Sequence, residues 1–184
     1  MKLSGSYQIN LEKQKVWQAL NDPEMLKICI PGCQKFLKNS DTEFTATATN
    51  KIGPFNATFT GEIELKDINP PDSYKIIGSG NSPVGFASGE AKVKLEEENG
   101  VTKLIYTVEA NVGGKIAQVG ARLIDMTAKK MADIFFKKFS ETISNKKEEK
   151  EKITDGKVPR EKESLNKKII FSSLILLIII GVII

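Results

Sequence analysis

Cys29 and Cys33 flank a Pro31-Gly32 step in the stretch KICIPGCQKF, and thiols this close could form a redox pair or half of a metal site. Either role needs the two side chains presented together, and the Pro-Gly step breaks the helix that would do so. The chain contains no histidine, which excludes Ser-His-Asp triads, Cys-His pairs and His-ligated metal centres. Two thiols alone cannot complete a tetrahedral zinc site, and no zinc-ribbon spacing is present. Burial as small hydrophobic side chains is the simpler expectation for both.

Other chemistry-bearing residues are as sparse. Gly113-Gly114-Lys115 imitates the end of a phosphate-binding loop, but that pattern needs glycine at Glu109 and a hydroxyl at Ile116. The glycine pair could place an anion on helix N–H groups, although a strand-to-helix turn explains it more simply. GSGNSPVGFASG at 78–89 lacks dinucleotide-binding spacing and reads as turns and bulges between strands. Glu90, Glu109, Asp125 and Asp133 could serve as acids or bases, yet nothing in their spacing makes two converge. Glu90 and Glu109 sit at polar positions of alternating segments, where solvation is expected. Asp125 falls off the apolar helix stripe, where a surface ion pair is expected. No catalytic constellation emerges.

The elements that would position these residues are legible in the patterning. From Phe55 to Leu65, Phe55, Ala57, Phe59, Gly61, Ile63 and Leu65 alternate with polar neighbours throughout. Phe44, Ala46 and Ala48 repeat this period, as do Ala91, Val93 and Leu95, and the segment from Leu104 through Tyr106 to Val112. Such alternation predicts antiparallel strands with one wet face. Residues 12–20 predict a short helix anchored by Val16, Trp17 and Leu20, and Asp22-Pro23 caps a second through about Ile28. From Gly114 to Ser144 a stripe runs through Ala117, Ala121, Ile124, Ala128, Met131, Phe135 and Phe139, predicting one long helix. Its small-faced first half, with Gly120, either lets the helix lie close on the sheet or leaves space between them.

Charge is unevenly placed. Residues 1–144 carry 18 Lys+Arg and 17 Asp+Glu, residues 145–168 carry 9 and 6, and residues 169–184 carry none. A near-neutral body argues against a nucleic-acid-binding face. Residues 145–168 cannot bury enough surface to fold alone and predict a charged flexible linker, spanning roughly 25–30 Å as a coil. Its first part could prolong the helix, which Asp155-Gly156 and Pro159 should end. The tail IIFSSLILLIIIGVII, residues 169–184, predicts an apolar helix. It would be about 24 Å long, against about 30 Å of bilayer hydrocarbon. Ile169, Phe171, Leu174, Leu177, Ile180 and Ile184 would contact lipid, with Lys167 and Lys168 snorkelling to headgroups. This predicts a C-terminal membrane anchor with the preceding domain on the cytoplasmic side. MKLSGSYQINLEKQ has no apolar signal core, so a reducing setting without a structural disulfide is expected.

DPEMLKICIPGC (22–33), KIGPFNATFTGEIEL (51–65), INPPDSYKIIGSG (68–80) and VGGKIAQVGARLIDMTAKKMADIFF (112–136) resemble the CoxG family of carbon monoxide dehydrogenase, in order through residues 1–144. That family belongs to the START-like (SRPBCC), helix-grip superfamily. The resemblance implies an α+β fold in which a curved antiparallel sheet wraps a long C-terminal helix and encloses a hydrophobic cavity, here followed by the tail helix. Its small inward residues would be Ala46, Ala48, Ala57, Gly61, Ala117, Gly120 and Ala121. Phe59, Tyr74, Tyr106, Ile124 and Ala128 would complete the wall, and Ile30, with Ile28, would form a lip.

The resemblance further implies a non-enzymatic bacterial accessory protein of a molybdenum-containing carbon monoxide dehydrogenase or related hydroxylase. Its tasks would be recruiting that enzyme to the cytoplasmic face of the inner membrane and binding a quinone or lipid. No covalently bound cofactor, metal or nucleic acid is expected, and membrane lipid is an expected partner. The alternatives are a START-like cyclase or hydrolase, with Tyr74, Tyr106 or Cys29 as its polar group, and a docking platform with a filled core.

Overall fold

A computed structural model describes residues 1–153, with side chains described through residue 144. The chain runs β1 (Lys2–Ile9), α1 (Lys13–Leu20), α2 (Pro23–Cys29), β2 (Cys33–Lys38), β3 (Glu43–Ile52), β4 (Phe55–Asn69), β5 (Ser73–Ser82), β6 (Gly85–Glu98), β7 (Val101–Gly114) and α3 (Ala121–Ile153). The strands form one seven-stranded sheet in the order β1-β7-β6-β5-β4-β3-β2. Every pairing is antiparallel. This is the α+β architecture expected, a curved sheet against a C-terminal helix.

The predicted alternation is the sheet's inner and outer faces. Phe44, Ala46, Ala48, Ala57, Phe59, Ile63 and Leu65 are buried, as are Ala91, Val93, Leu95, Leu104, Tyr106 and Val108. Thr47 and Thr49 meet Thr60 and Thr58 across β3 and β4 on the wet face, a stabilising cross-strand pairing. The 78–89 stretch differs from expectation. Gly78 and Gly80 lie within β5 and Gly89 within β6, and only the step at 83–84 turns the chain. Glycine at inward positions removes the apolar signal by which a strand is recognised.

Both short helices form where expected. Asp22 accepts hydrogen bonds from the Glu24 and Met25 amides, and Pro23 opens α2, because proline needs no partner for a missing N–H at that position. The Pro31-Gly32 step then turns the chain into β2. Gly32 has a φ of 68°, and an added Cβ would stand 2.1 Å from the Thr49 carbonyl oxygen. Its own carbonyl accepts from the Thr49 amide at 3.0 Å.

The long helix begins later than predicted. Lys115–Val119 form a 3-10 turn between Gly114 and Gly120, whose φ values are 83° and 89°. These left-handed glycines interrupt the helix, so Ala117 precedes α3 and Ala117, Gly120 and Ala121 are exposed. The rest of the stripe packs as predicted: Ile124, Ala128, Met131, Phe135 and Phe139 are buried, joined by Ala132 and Phe136. At its other end α3 continues to Ile153, into the charged segment. The remainder of the linker and the whole tail, including Lys167, Lys168 and Ile169–Ile184, lie outside the described residues. No helix among the described residues is long and apolar enough to cross a membrane.

Candidate functional site

The inner face of the sheet is graded in side-chain size. One cross-strand row joins Tyr74 of β5, Val93 of β6, Tyr106 of β7 and Gly5 of β1. Farther along the strands, another joins Ala46, Gly61, Gly80 and Ala87 across β3 to β6. At about 4.8 Å between strands this second row is about 14 Å long. Its side chains scarcely leave the backbone, and the neighbouring inward positions Gly78, Gly89 and Ala110 are small as well. Phe44 and Ile63 stand on one side of the row and Phe59 on the other.

Above this face, α3 makes its main approaches at the sheet's flanks, to β1 and β3, and to α2, rather than over the central strands. Its first turns lie at the β3–β4 hairpin, where Leu123 borders Gly53. Farther along, Phe136 stacks on Tyr7 of β1 with ring centroids 4.0 Å apart. Ile124 and Ala128 are buried on the half of α3 nearer the hairpin, while Phe135, Phe136 and Phe139 fill the other half. Of the predicted wall, Ala46, Ala48, Ala57, Phe59, Gly61, Tyr74, Tyr106, Ile124 and Ala128 are therefore all buried. Ala117, Gly120 and Ala121 are not.

The apolar interior has a polar border that residue spacing does not reveal. Tyr7 Oη donates to Asp133 Oδ1 at 2.5 Å, joining β1 to α3. Tyr7 and Tyr106 lie with near-parallel rings, centroids 6.1 Å apart. Burial raises the Tyr7 phenol well above the usual tyrosine range, reinforced by Asp133, and burial likewise raises Tyr106. Both phenols are thus held in the neutral form. Gly5 permits the arrangement, since a Cβ there would lie 2.5 Å from Tyr106 Oη. Tyr7 occupies an inward position of β1 with Leu3, Gly5 and Ile9, which is the available signal; nothing in the spacing points to Asp133.

Asp125 makes no ion pair among the described residues, contrary to expectation, and its Oδ1 is buried without a hydrogen-bond partner. The other carboxylates behave as predicted: Glu109 pairs with Lys2 at 2.9 Å, and Glu90 lies 4.0 Å from Lys92. A broad depression of about 910 Å³ on the outer sheet face is lined by Glu43, Glu62, Glu64, Glu90 and Glu109. It is charged and solvent-facing, with no convergent apolar wall.

The two thiols do not form a dithiol site. Cys29 is buried with its Sγ 3.8 Å from Met25 Sδ, whereas Cys33 is half-buried with its Sγ 3.6 Å from the Lys35 carbonyl. Burial raises the Cys33 thiol, only partly opposed by a backbone hydrogen bond at Lys35 and the Lys27 charge, so the reactive thiolate is disfavoured. Ile28, Ile30, Cys33 and Lys138 border a groove of about 480 Å³ between α2, β2 and α3. Ile30 is buried and Ile28 is exposed. Among the described residues no group of three or more His, Cys, Asp or Glu side chains could hold a metal ion.

Solved structures share this architecture. A conserved protein from Geobacillus kaustophilus is 32% identical with a TM-score of 0.76, covering 79% of this chain and 96% of its own. The Zhui aromatase/cyclase from Streptomyces sp. R1128 has a TM-score of 0.59 at 11% identity, covering 78% of this chain and 93% of its own. Ara h 8.0201 has a TM-score of 0.57 at 17% identity, covering 79% and 98%. At these low identities the last two show the helix-grip fold alone. No curated protein matches the chain. The family model for the carbon monoxide dehydrogenase component CoxG matches residues 5–144, and the chain belongs to that family.

Proposed function

We propose that this protein is a membrane-tethered accessory protein of a molybdenum-containing carbon monoxide dehydrogenase or related hydroxylase. It recruits that enzyme to the cytoplasmic face of the inner membrane and holds a quinone or lipid between the sheet and α3. The observation that carries the ligand half is the row of small residues Ala46, Gly61, Gly80 and Ala87 on the inner face of a CoxG-family domain. An apolar chain laid there gains about 25 cal/mol per Å² removed from water. The tethering half rests on the apolar composition of residues 169–184.

Two measurements test these halves separately. Organic extraction of the purified full-length protein should yield an isoprenoid quinone or acyl lipid; an empty protein with no quinone affinity removes the ligand half. Deleting residues 169–184 should move a co-expressed molybdenum dehydrogenase from the membrane to the soluble fraction. An unchanged membrane fraction removes recruitment.

A second reading, an enzyme acting on a hydrophobic substrate, is favoured by one feature, the neutral phenols Tyr7 and Tyr106 beside Asp133. It requires that extracted ligand be chemically converted during incubation, and that Tyr7→Phe slow the conversion without weakening binding.

A further inference from the structure

The solvent face of α3 gathers five cations. Arg122, Lys129, Lys130, Lys137 and Lys138 are all exposed. None forms a salt bridge with a described residue. On the sheet's outer face Lys2, Lys66, Lys75, Lys92 and Lys94 are each paired with a carboxylate, while Lys51 and Lys103 form no salt bridge with a described residue. At about 3.6 residues per turn the five α3 cations fall within one half of the helix circumference. Among residues 121–144, Asp133 and Glu141 are the acids on that arc, and Asp133 accepts the Tyr7 hydroxyl.

Large apolar side chains stand among these cations. Met126 is 59% exposed and Ile134 44% exposed, two helical turns apart. Ile28 of α2, 47% exposed, borders the same groove as Lys138 and extends the patch past the end of α2. Met and Ile among cations without an ion-pair partner among the described residues suit an amphipathic surface lying on anionic headgroups, because cations meet phosphates while apolar tips enter the interface.

We propose that the outer face of α3, with the tip of α2, docks onto an anionic lipid bilayer and fixes how the domain sits on the membrane. The inference deepens the tethered reading and rests on it for delivery of the face to the bilayer. Charge complementarity selects the occupant: the α3 cations, which have no ion-pair partner among the described residues, attract the surface, while on the outer sheet face Glu64, Glu90 and Glu109 are offset by Lys66, Lys92 and Lys2, and Glu43 and Glu62 add negative charge. Because residues 1–144 carry 18 Lys+Arg against 17 Asp+Glu, this is an orienting dipole and not a general attraction. Each cation near an anionic leaflet contributes roughly fivefold in affinity.

The test uses the full-length chain floated with vesicles of phosphatidylcholine and phosphatidylglycerol carrying brominated acyl chains. Tryptophan is placed at Ile134→Trp, or at Ile77→Trp on the sheet face, with wild type giving the background of buried Trp17. The expected result is quenching and a blue shift at position 134 and neither at 77. The reversal K129E/K130E/K137E/K138E should cut the quenching at 134 at least fivefold without loss of flotation, as should 0.5 M salt. All four positions are exposed, and an unchanged circular dichroism spectrum checks the fold. Equal quenching at 77 and 134, or quenching at 134 that survives charge reversal, overturns the proposal. Flotation without quenching at 134 overturns docking alone, while failure to float overturns tether and docking together. Binding of duplex DNA that is lost on charge reversal, with position 134 unquenched, overturns it in favour of nucleic acid.

Discussion

Tyr7 Oη donates to Asp133 Oδ1 at 2.5 Å, so the first strand is clasped to the middle of the last helix across 126 residues of sequence. Because the contact is solvent-accessible, Tyr7→Phe should cost only about 1 kcal/mol in denaturant unfolding. The Phe136 stacking remains in the variant, which separates the hydrogen bond from the packing.

The same cluster predicts an alkaline limit. Tyr7 and Tyr106 are raised above the ordinary tyrosine value of 10.0, chiefly by burial, so the fold prefers their neutral forms. Their contribution is complete below the unfolded value and is lost as pH rises through the folded values. Stability measured by urea unfolding should therefore decline above about pH 10, and Tyr7→Phe should flatten that decline. An equal slope in the variant would assign the alkaline loss elsewhere.

Gly32 and Gly100 have similar φ values, 68° and 76°, but only Gly32 has a carbonyl oxygen 2.1 Å from where a Cβ would stand. Gly100→Ala should cost about 1–2 kcal/mol from its left-handed backbone. Gly32→Ala should cost roughly 2–4 kcal/mol, since backbone strain and the clash with Thr49 add. Thermal melts of the two variants side by side measure the difference.

The cysteines are predicted to be structural. With its thiol raised by burial, Cys33 should alkylate more slowly at neutral pH than an unhindered thiol. Replacing Cys29 and Cys33 together by alanine should cost about 1–2 kcal/mol, mostly at buried Cys29, and leave ligand content unchanged. Loss of ligand without loss of fold would restore a chemical role to the thiols.

Much of this fold is legible from residue types because its physical causes are local. Alternation marks β3, β4, β6 and β7, since one face of each is wet. It fades in β5, where inward Gly78 and Gly80 carry no side chain and outward Ile77 is apolar, so the period-2 signal disappears although the strand does not. The start of α3 is hidden because Ala117, Ala121 and Ile124 keep helical spacing through the 3-10 turn; only the positive φ of Gly114 and Gly120 separates the two. The buried wall from Ala46 to Ala128 follows from the same periodicities. The Tyr7–Asp133 contact does not, because it depends on how α3 lies across β1, and the ionic state of α3's outer face depends on which partners are absent in space.

The central claim, a ligand laid over the small-residue row between sheet and helix, is tested most directly by native mass spectrometry of the full-length protein and its Ala87→Leu variant. Ala87 is buried at one end of the small-residue row. A leucine there should fill space that the ligand otherwise occupies. The account predicts wild type carrying one quinone or lipid per chain, and a folded variant with its melting temperature nearly unchanged and its ligand lost. A tightly packed core would instead be overpacked, destabilised by about 1–3 kcal/mol. Wild type with no bound species and no uptake from added menaquinone, together with such destabilisation, would contradict the account.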